Sequence, residues 1–208
     1  MIVDDSVARY LEEVAPASEG VLAEMEAYGA ETEFPLIGPL VGRVLGLLAR
    51  SIRAERVFEC GSGFGYSAWW FAEAVGPKGE VFLTDLSQEN LDRAKDFLAR
   101  GGLDGRCRFL CGDAVEQLTA SYGTYDAILV DIDKEGYPDS LAATVPKLRT
   151  GGLLITDNVL WGGRVADESE TDDATEAIRE YTRRLYANED LSTVILPLRD
   201  GVAVSRKS

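Results

Sequence analysis

The sequence predicts an α/β fold in which a mostly parallel seven-stranded sheet carries helices on both faces. From residue 56 onwards, short apolar runs alternate with helical segments, a pattern typical of βαβ units. The last two apolar runs, 192–198 and 201–207, are separated by only Arg199 and Asp200. Such a short link permits a hairpin but not a parallel crossover, so we expect the last strand to be antiparallel.

The elements can be assigned in chain order. Helical spacing of apolar residues predicts three helices before the sheet, followed by a turn-rich segment around Pro35 and Pro39 between the second and third. The predicted strands are 56–60, 80–85, 107–113, 125–131, 152–158, 192–198 and 201–207. The predicted helices between and after them are 66–75, 88–101, 114–121, 138–149 and 173–188. We therefore expect a single domain over residues 1–208, with N-terminal helices in 1–52 and an α/β core in 53–208.

The composition is strongly acidic. Lys and Arg number 21 against 36 Asp and Glu, for a formal charge of −15. Such a surface disfavours unassisted binding to nucleic acid or anionic lipid. Because the acids are dispersed and lysines are few, the composition also resembles that of proteins from salt-loving organisms, so a halophilic source is an alternative explanation. No apolar run is long enough to span a membrane, and the N-terminus lacks a signal-peptide pattern, so we expect a cytoplasmic protein.

Cysteine and histidine usage narrows the chemistry. Cys60, Cys107 and Cys111 are expected to be buried free thiols. The chain contains no histidine, which removes the usual general base, imidazole metal sites and Ser-His-Asp or Cys-His catalysis. Catalysis must then depend on carboxylates, lysine, amides, hydroxyls or a bound ion.

Every predicted strand of the parallel part ends in a polar residue. In open α/β sheets, ligands bind beyond the carboxyl ends of the strands. The residues at these ends are Glu59, Asp85, Asp113, Asp131 and the pair Asp157-Asn158. Five such ends in succession indicate a binding edge rather than solvated loops.

The first strand–helix junction, "FECGSGFGYSAWW", is a glycine-rich loop. Gly61, Gly63 and Gly65 allow a tight turn and a close approach to a ligand. Asp85, after the second strand, can accept both hydroxyls of a ribose. The alternative interpretation is that it only initiates the helix that follows. This pattern leaves a nicotinamide cofactor and S-adenosylmethionine both open.

Later motifs separate these alternatives. "CGDAVEQL" follows the third strand, "DIDKEGY" the fourth and "TDNVLWGGRV" the fifth. Together they resemble the cation-dependent O-methyltransferases, the group of catechol and caffeoyl-coenzyme A O-methyltransferases and small prokaryotic relatives. The resemblance extends from about residue 34 to the C-terminus. It implies a Rossmann-like class I methyltransferase fold, with S-adenosylmethionine and a divalent cation as cofactors, and a homodimer.

The resemblance implies a metal centre and a catalytic pair. Asp131, Asp157 and Asn158 align with the family's metal ligands, and three hard oxygen donors suit Mg²⁺, with Ca²⁺ or Mn²⁺ as alternatives. Lys134 aligns with the proposed general base, beside Asp131. A surface lysine paired with Glu135 is the alternative interpretation.

The same resemblance assigns the remaining contacts. The residues implied to contact S-adenosylmethionine are Glu59, Gly61, Ser62, Gly63, Ser67, Asp85, Asp113, Ala114, Asp131, Asp133 and Ile37. Asp113 and Ala114 would meet the adenine, and Ser67 at a helix N-terminus would hold the methionine carboxylate. The residues implied to lie over the acceptor are Trp161, Gly162 and Arg164.

The predicted function is methyl transfer from S-adenosylmethionine to a hydroxyl of a small catechol-like or phenolic acceptor. One alternative keeps the fold but takes a hydroxylated uridine in transfer RNA as the acceptor. A second alternative is an NAD-dependent oxidoreductase.

Overall fold

The structure, a computed structural model, describes residues 4–208 and is built around one sheet. Residues 1–3 of the predicted N-terminal segment lie outside the described residues. Within residues 4–208 the strands are β1 Arg56–Cys60, β2 Glu80–Asp85, β3 Cys107–Cys111, β4 Tyr125–Val130, β5 Leu148–Thr156, β6 Leu191–Leu196 and β7 Val202–Lys207. The α-helices of the same range are α1 Asp5–Val14, α2 Gly20–Glu31, α3 Gly38–Ser51, α4 Tyr66–Ala74, α5 Gln88–Arg100, α6 Ala114–Ala120, α7 Tyr137–Lys147 and α8 Asp173–Ala187.

The strand order is β3-β2-β1-β4-β5-β7-β6. Strands β1 to β5 pair in parallel, and β7 is antiparallel to both of its neighbours. The predicted fold class and the antiparallel last strand are therefore confirmed. Because the chain leaves β3 at one edge and returns beside β1 as β4, a crevice opens between the ends of β1 and β4, where open sheets of this kind bind ligands.

Alternation along the strands explains the two helical layers. In β4, Ala127 and Leu129 are buried in the core formed with α2 to α5, whereas Ile128 and Val130 are buried in the core formed with α6 to α8. A strand buried on both faces reads as a continuous apolar run, which is why this one stood out in the sequence.

The N-terminal helices join the core formed with α2 to α5 through the contact between α3 and α4. A Cβ on Gly42 would lie 2.1 Å from Trp70 Nε1, so only glycine permits this approach. Trp69 and Trp70 are both buried, and the Tyr66 hydroxyl donates to Glu26 Oε1 at 2.6 Å, which links α4 to α2. None of the helices between residues 4 and 208 combines the length and apolarity needed to cross a bilayer.

Two local expectations are corrected. Strand β5 begins at Leu148, four residues before the predicted start, because Leu148 pairs with Tyr125 across an irregularity in the β4 register. Cys60 and Cys107 are buried free thiols, but Cys111 at the end of β3 is exposed.

Candidate active site at the carboxyl edge of the sheet

A cavity of about 820 Å³ lies across the carboxyl ends of β1 to β5. Most of the site residues predicted from the sequence line it. These are Ile37, Gly61, Ser62, Gly63, Ser67, Asp85, Asp113, Ala114, Asp131, Asp133, Lys134, Asp157, Asn158 and Trp161. Glu59 is fully buried at the end of β1, and Gly162 and Arg164 lie outside the cavity wall.

The glycine-rich loop is shaped by two steric contacts. Gly61 has a φ of +85°, and a Cβ there would lie 2.0 Å from the carbonyl oxygen of Asp131. Gly63 has a φ of +50°, and a Cβ there would lie 2.7 Å from Phe34 Cζ. Both positions therefore require glycine, one against the loop after β4 and the other against the segment between α2 and α3.

Asp85 supports this loop and faces the cavity. Its Oδ2 accepts from the Gly63 N–H at 3.0 Å, and its Oδ1 accepts from the Ser87 N–H at 2.8 Å and Asn90 Nδ2 at 3.1 Å. An ionised carboxylate has about four acceptor positions, so these three bonds leave room for a ligand hydroxyl. The helix-initiating alternative also holds in part, because Ser87, which donates to Asp85, caps α5 two residues later.

Asp113 and its neighbours are organised by the backbone. Asp113 caps α6, its Oδ1 accepting from the Glu116 N–H at 2.8 Å, and Ala114 is buried behind it. Ser62 is buried, and its Oγ accepts from the Thr84 N–H at 3.1 Å. These residues form a fixed part of the cavity wall, because most of their hydrogen bonds are made within the chain.

Glu59 is different. Its side chain is fully buried, and neither carboxylate oxygen has a hydrogen-bond partner among the described residues. Burial raises the pKa of Glu59 to about 8, with a further increase from Asp131 that the nearby Ser67 and Ser62 hydroxyls oppose. A cationic ligand group above the loop would relieve this cost.

The backbone brings Asp131 and Asp157 together. The Asp131 N–H donates to the Cys60 carbonyl at 2.9 Å, and the Asp157 N–H donates to the Val130 carbonyl at 3.2 Å. Each bond continues the parallel pairing just past the strand end, so both carboxylates lie at the same edge. Asn158 follows in a left-handed conformation with a φ of +56°, which turns its side chain towards the same point.

Lys134 lies at the centre of this group. Its Nζ donates to Asp131 Oδ1 at 3.1 Å, Asn158 Oδ1 at 2.9 Å, the Tyr137 hydroxyl at 2.8 Å and the Ile132 carbonyl at 3.2 Å. The side chain is only 11% exposed. Lys134 is therefore a mostly buried cation joined to two of the three predicted metal ligands, and is not a surface lysine paired with Glu135.

Asp157 lacks a complete set of partners. It is 2% exposed, and its Oδ1 has no hydrogen-bond partner in the described chain. Burial, and next the charge of Asp131, raise the pKa of Asp157 to about 7. Residues 4–208 contain no group of three Asp, Glu, Cys or His side chains that could hold a metal, so a metal centre here would consist of two carboxylates and the Asn158 amide.

The loop after β5 forms the other wall of the cavity. The Trp161 ring lies with its centroid 5.7 Å from Lys134 Nζ. The Gly162 N–H donates to Asp200, and Arg164 pairs with Glu170 and Asp172 at 3.0 and 2.6 Å. Trp161 is thus in reach of an acceptor, whereas Gly162 and Arg164 hold the loop in place.

Sequence reasoning missed two residues. The Tyr137 hydroxyl donates to the Asp157 carbonyl at 2.9 Å while accepting from Lys134, and burial holds its pKa above the ordinary value, so it stays protonated. Tyr137 ends the motif "DIDKEGY" directly before the predicted helix 138–149, and no local pattern marks it as a site residue. Arg199 lines the cavity from the β6–β7 turn, and its position depends on long-range pairing that no local pattern reveals.

Comparison with known proteins gives consistent similarities. Residues 14–208 match the model of the O-methyltransferase family. A Mycobacterium tuberculosis protein named as a candidate O-methyltransferase is 33% identical over 168 residues, which cover 80% of this chain and 75% of that protein. An O-methyltransferase from Bacillus cereus, solved in complex with S-adenosylhomocysteine, is 26% identical, with a TM-score of 0.88 over 98% of this chain and 97% of that chain. A methyltransferase from Geobacter sulfurreducens is 28% identical, with a TM-score of 0.87 over 100% of both chains.

Proposed function

Because the chain belongs to the O-methyltransferase family, we propose that it moves a methyl group from S-adenosylmethionine to a hydroxyl of a small catechol-like acceptor with the help of a divalent cation. The observation that carries the cation and acceptor parts of this proposal is the group formed by Asp131, Lys134, Asp157 and Asn158 at the ends of two adjacent strands.

The donor set fits a hard divalent cation. Two carboxylates and an amide offer oxygen ligands, which Mg²⁺ and Ca²⁺ prefer. The buried Asp157 Oδ1 is without a partner among the described residues, and burial together with the charge of Asp131 raises the pKa of Asp157, so a cation beside this pair of carboxylates would be stabilising. Asp131, Asp157 and Asn158 would hold the ion. When bound, it would supply charge stabilisation and lower the pKa of a nearby acceptor hydroxyl.

The residues of the chain have separate roles around the acceptor. Lys134 Nζ would take the departing proton, once its ammonium has released one to solvent, and Tyr137 holds that nitrogen in place by a 2.8 Å hydrogen bond. Trp161 provides an aromatic wall for a planar ring. The rate would then come mainly from positioning and electrostatics at a fixed edge of the sheet.

The part of the cavity at the ends of β1 to β3, the cofactor half, favours S-adenosylmethionine over a dinucleotide. A pyrophosphate would have to approach the unpartnered carboxylate of Glu59 and the acids that line the cavity. S-adenosylmethionine carries no phosphate and brings an ammonium and a sulfonium, both of which a buried carboxylate attracts. The Bacillus cereus neighbour in complex with S-adenosylhomocysteine supports the same choice.

Transfer RNA remains the alternative acceptor, and the formal charge of −15 counts against it. The cytoplasmic location, the homodimer and the salt-adapted surface stay predictions.

A methyl-transfer assay with labelled S-adenosylmethionine tests the proposal. We expect transfer to catechols in Mg²⁺, loss of transfer in excess EDTA and none to unmethylated bulk transfer RNA. Transfer that EDTA leaves intact would contradict the cation, and transfer to RNA alone would replace the acceptor. A thermal shift with NAD but none with S-adenosylmethionine would reject the cofactor.

A further inference from the structure

We propose that Arg199 determines acceptor specificity by binding an anionic group of the acceptor, a carboxylate, at the mouth of the cavity. The proposal rests on the proposed function, since it names a subclass of the small phenolic acceptors. It concerns a residue that none of the sequence motifs singled out.

The turn between β6 and β7 fixes the position of Arg199. The Gly201 N–H donates to the Leu198 carbonyl at 2.9 Å, and the Leu160 N–H donates to the Asp200 carbonyl at 2.9 Å. The turn is thus closed on itself and tied to the loop after β5. Arg199 has a φ of +50° within it, a conformation that glycine adopts far more readily than arginine. An arginine is therefore held here against backbone preference, with its side chain on the cavity wall.

The Arg199 guanidinium group is held in place by the chain but keeps N–H donors free for a ligand. Arg199 Nη1 donates to the Leu36 carbonyl at 2.6 Å, and the side chain packs on Gly38, 3.4 Å from the position of an added Cβ. No carboxylate of residues 4–208 forms an ion pair with it. Since arginine carries five N–H donors in a planar fork, those left over can bind a carboxylate with two parallel hydrogen bonds.

Comparison with Lys134 shows why Arg199 is the relevant cation. Among the described residues these two are the only basic ones that line the cavity. Lys134 is 11% exposed and already donates to four oxygens, whereas Arg199 is exposed and donates to one.

The charge of the cavity sets where an anionic group can go. The carboxylates that line it belong to Asp85, Asp113, Asp131, Asp133, Glu135 and Asp157. These would repel an acceptor carboxylate almost everywhere on the wall. Arg199 is the exception: it lies on the β6–β7 turn, lines the cavity and has donors left for the carboxylate of an acceptor.

The test compares two acceptors that differ in one group, 3,4-dihydroxybenzoate and 3,4-dihydroxybenzyl alcohol. We expect R199Q to lower the ratio of kcat/KM for the acid to that for the alcohol by about tenfold or more, because a hydrogen-bonded charge partner is lost. R199K, which keeps the charge but not the fork, should retain part of the preference. R206Q is the matched control: Arg206 is exposed on the same hairpin and does not line the cavity, so the ratio should keep its wild-type value. If R199Q does not fold, R199G replaces it, since glycine suits the φ of this position.

Other outcomes overturn the proposal. An unchanged ratio in R199Q would do so, as would a wild-type protein without preference for the acid. A tenfold loss of S-adenosylmethionine affinity with an unchanged ratio would assign Arg199 to the methionine carboxylate instead. If the wild-type protein methylates neither compound, the proposed function fails. In that case calorimetric Kd values of both compounds for the protein saturated with S-adenosylhomocysteine, measured in wild type and R199Q, decide the binding claim separately.

Discussion

The two halves of the carboxyl edge satisfy their carboxylates in different ways. In the cofactor half, formed by the ends of β1 to β3, Asp85 and Asp113 accept hydrogen bonds from backbone N–H groups. In the acceptor half, formed by the ends of β4 and β5, Asp131 has an ammonium group as partner and Asp157 Oδ1 has none. Carboxylates that accept hydrogen bonds from neutral donors are already satisfied within the chain. Carboxylates with too few donors are stabilised when a cation binds.

Glu59 departs from this division, because it belongs to the cofactor half by position and resembles Asp157 in its surroundings. Both are buried, and both have an oxygen without a partner. The difference between the halves is therefore one of ligand charge. We expect a cationic ligand group above Glu59 as well as beside Asp157. The part of the cavity wall around Asp85, whose carboxylate already has donors within the chain, is expected to bind neutral hydroxyls.

The largest effect is expected from D157N, which would break the acceptor half. Loss of a charged cation ligand should lower kcat/KM for a catechol by about a hundredfold or more in Mg²⁺. D139N removes the same charge from an exposed position in α7 and should behave as wild type. Full turnover by D157N in excess EDTA would show that no cation is needed.

The stability of D157N separates this loss from unfolding. The pKa of Asp157 is raised from 3.8 to about 7 in the folded chain, so the folded state binds the proton more tightly than the unfolded state. Ionisation then costs stability as the pH rises from about 4 to about 7. In EDTA, urea titrations should find D157N at least as stable as wild type at pH 8, with an advantage that shrinks towards pH 4.

K134M should have the next largest effect, because it removes the cation that the acceptor half already contains. We expect kcat to fall about tenfold to a hundredfold, since Lys134 is assigned the departing proton. In EDTA the melting temperature should also fall, because Asp131 loses its ammonium partner at 3.1 Å. K95M, in the middle of α5, serves as the control. If K134M changes neither kcat nor its pH profile, Lys134 has only a structural role.

D85N tests the cofactor half. Asparagine retains one acceptor oxygen but loses the charge that, in the proposed function, strengthens a hydrogen bond from a ribose hydroxyl, so calorimetry should find the Kd for S-adenosylmethionine raised about tenfold. D92N, on the exposed face of α5, is the matched control. A larger effect on turnover than on cofactor affinity would argue against a boundary between the halves at this residue.

E59Q tests Glu59 in the free protein, where the measured quantity is stability and not turnover. The pKa of Glu59 is raised from 4.5 to about 8, so wild-type stability should decrease as the pH rises through that window. At pH 8 the free energy of unfolding of E59Q should exceed that of wild type by roughly 1–3 kcal/mol, and the gap should close towards pH 4.5. For E73Q, at an exposed position in α4, the difference from wild type in the free energy of unfolding should not change with pH. A pH-independent gap for E59Q would contradict the account of Glu59 as an unpartnered carboxylate.

The sheet and much of the site were predictable because their signals are local. Each strand of the parallel part is a short apolar run that ends in an acid, and parallel strands place those ends at one edge. The pairing of Val130 with Thr156 then makes Asp131 and Asp157 neighbours. Gly61 and Gly63 were likewise readable, since a cluster of glycines marks a turn that side chains would block.

The remaining features depend on contacts between distant segments. Arg199 reaches the cavity only because β7 inserts between β5 and β6, and the hydrogen bond from Arg199 to Leu36 joins segments that are 163 residues apart. Arg164 stands three residues after Trp161 in the same motif, but its ion pairs with Glu170 and Asp172 hold it outside the cavity. Spacing along the chain cannot distinguish a side chain that faces a ligand from one that braces the loop.

In the proposed function, the contact between Gly61 and the Asp131 carbonyl would fix the distance between the methyl donor and the methyl acceptor. Because a Cβ there would lie 2.0 Å from that oxygen, the two halves of the edge touch through backbone alone. Reacting atoms must be aligned within a few tenths of an ångström for efficient transfer. Loops such as 161–166 can then change to suit another acceptor without altering this spacing, so new substrates need not disturb the alignment of the reaction.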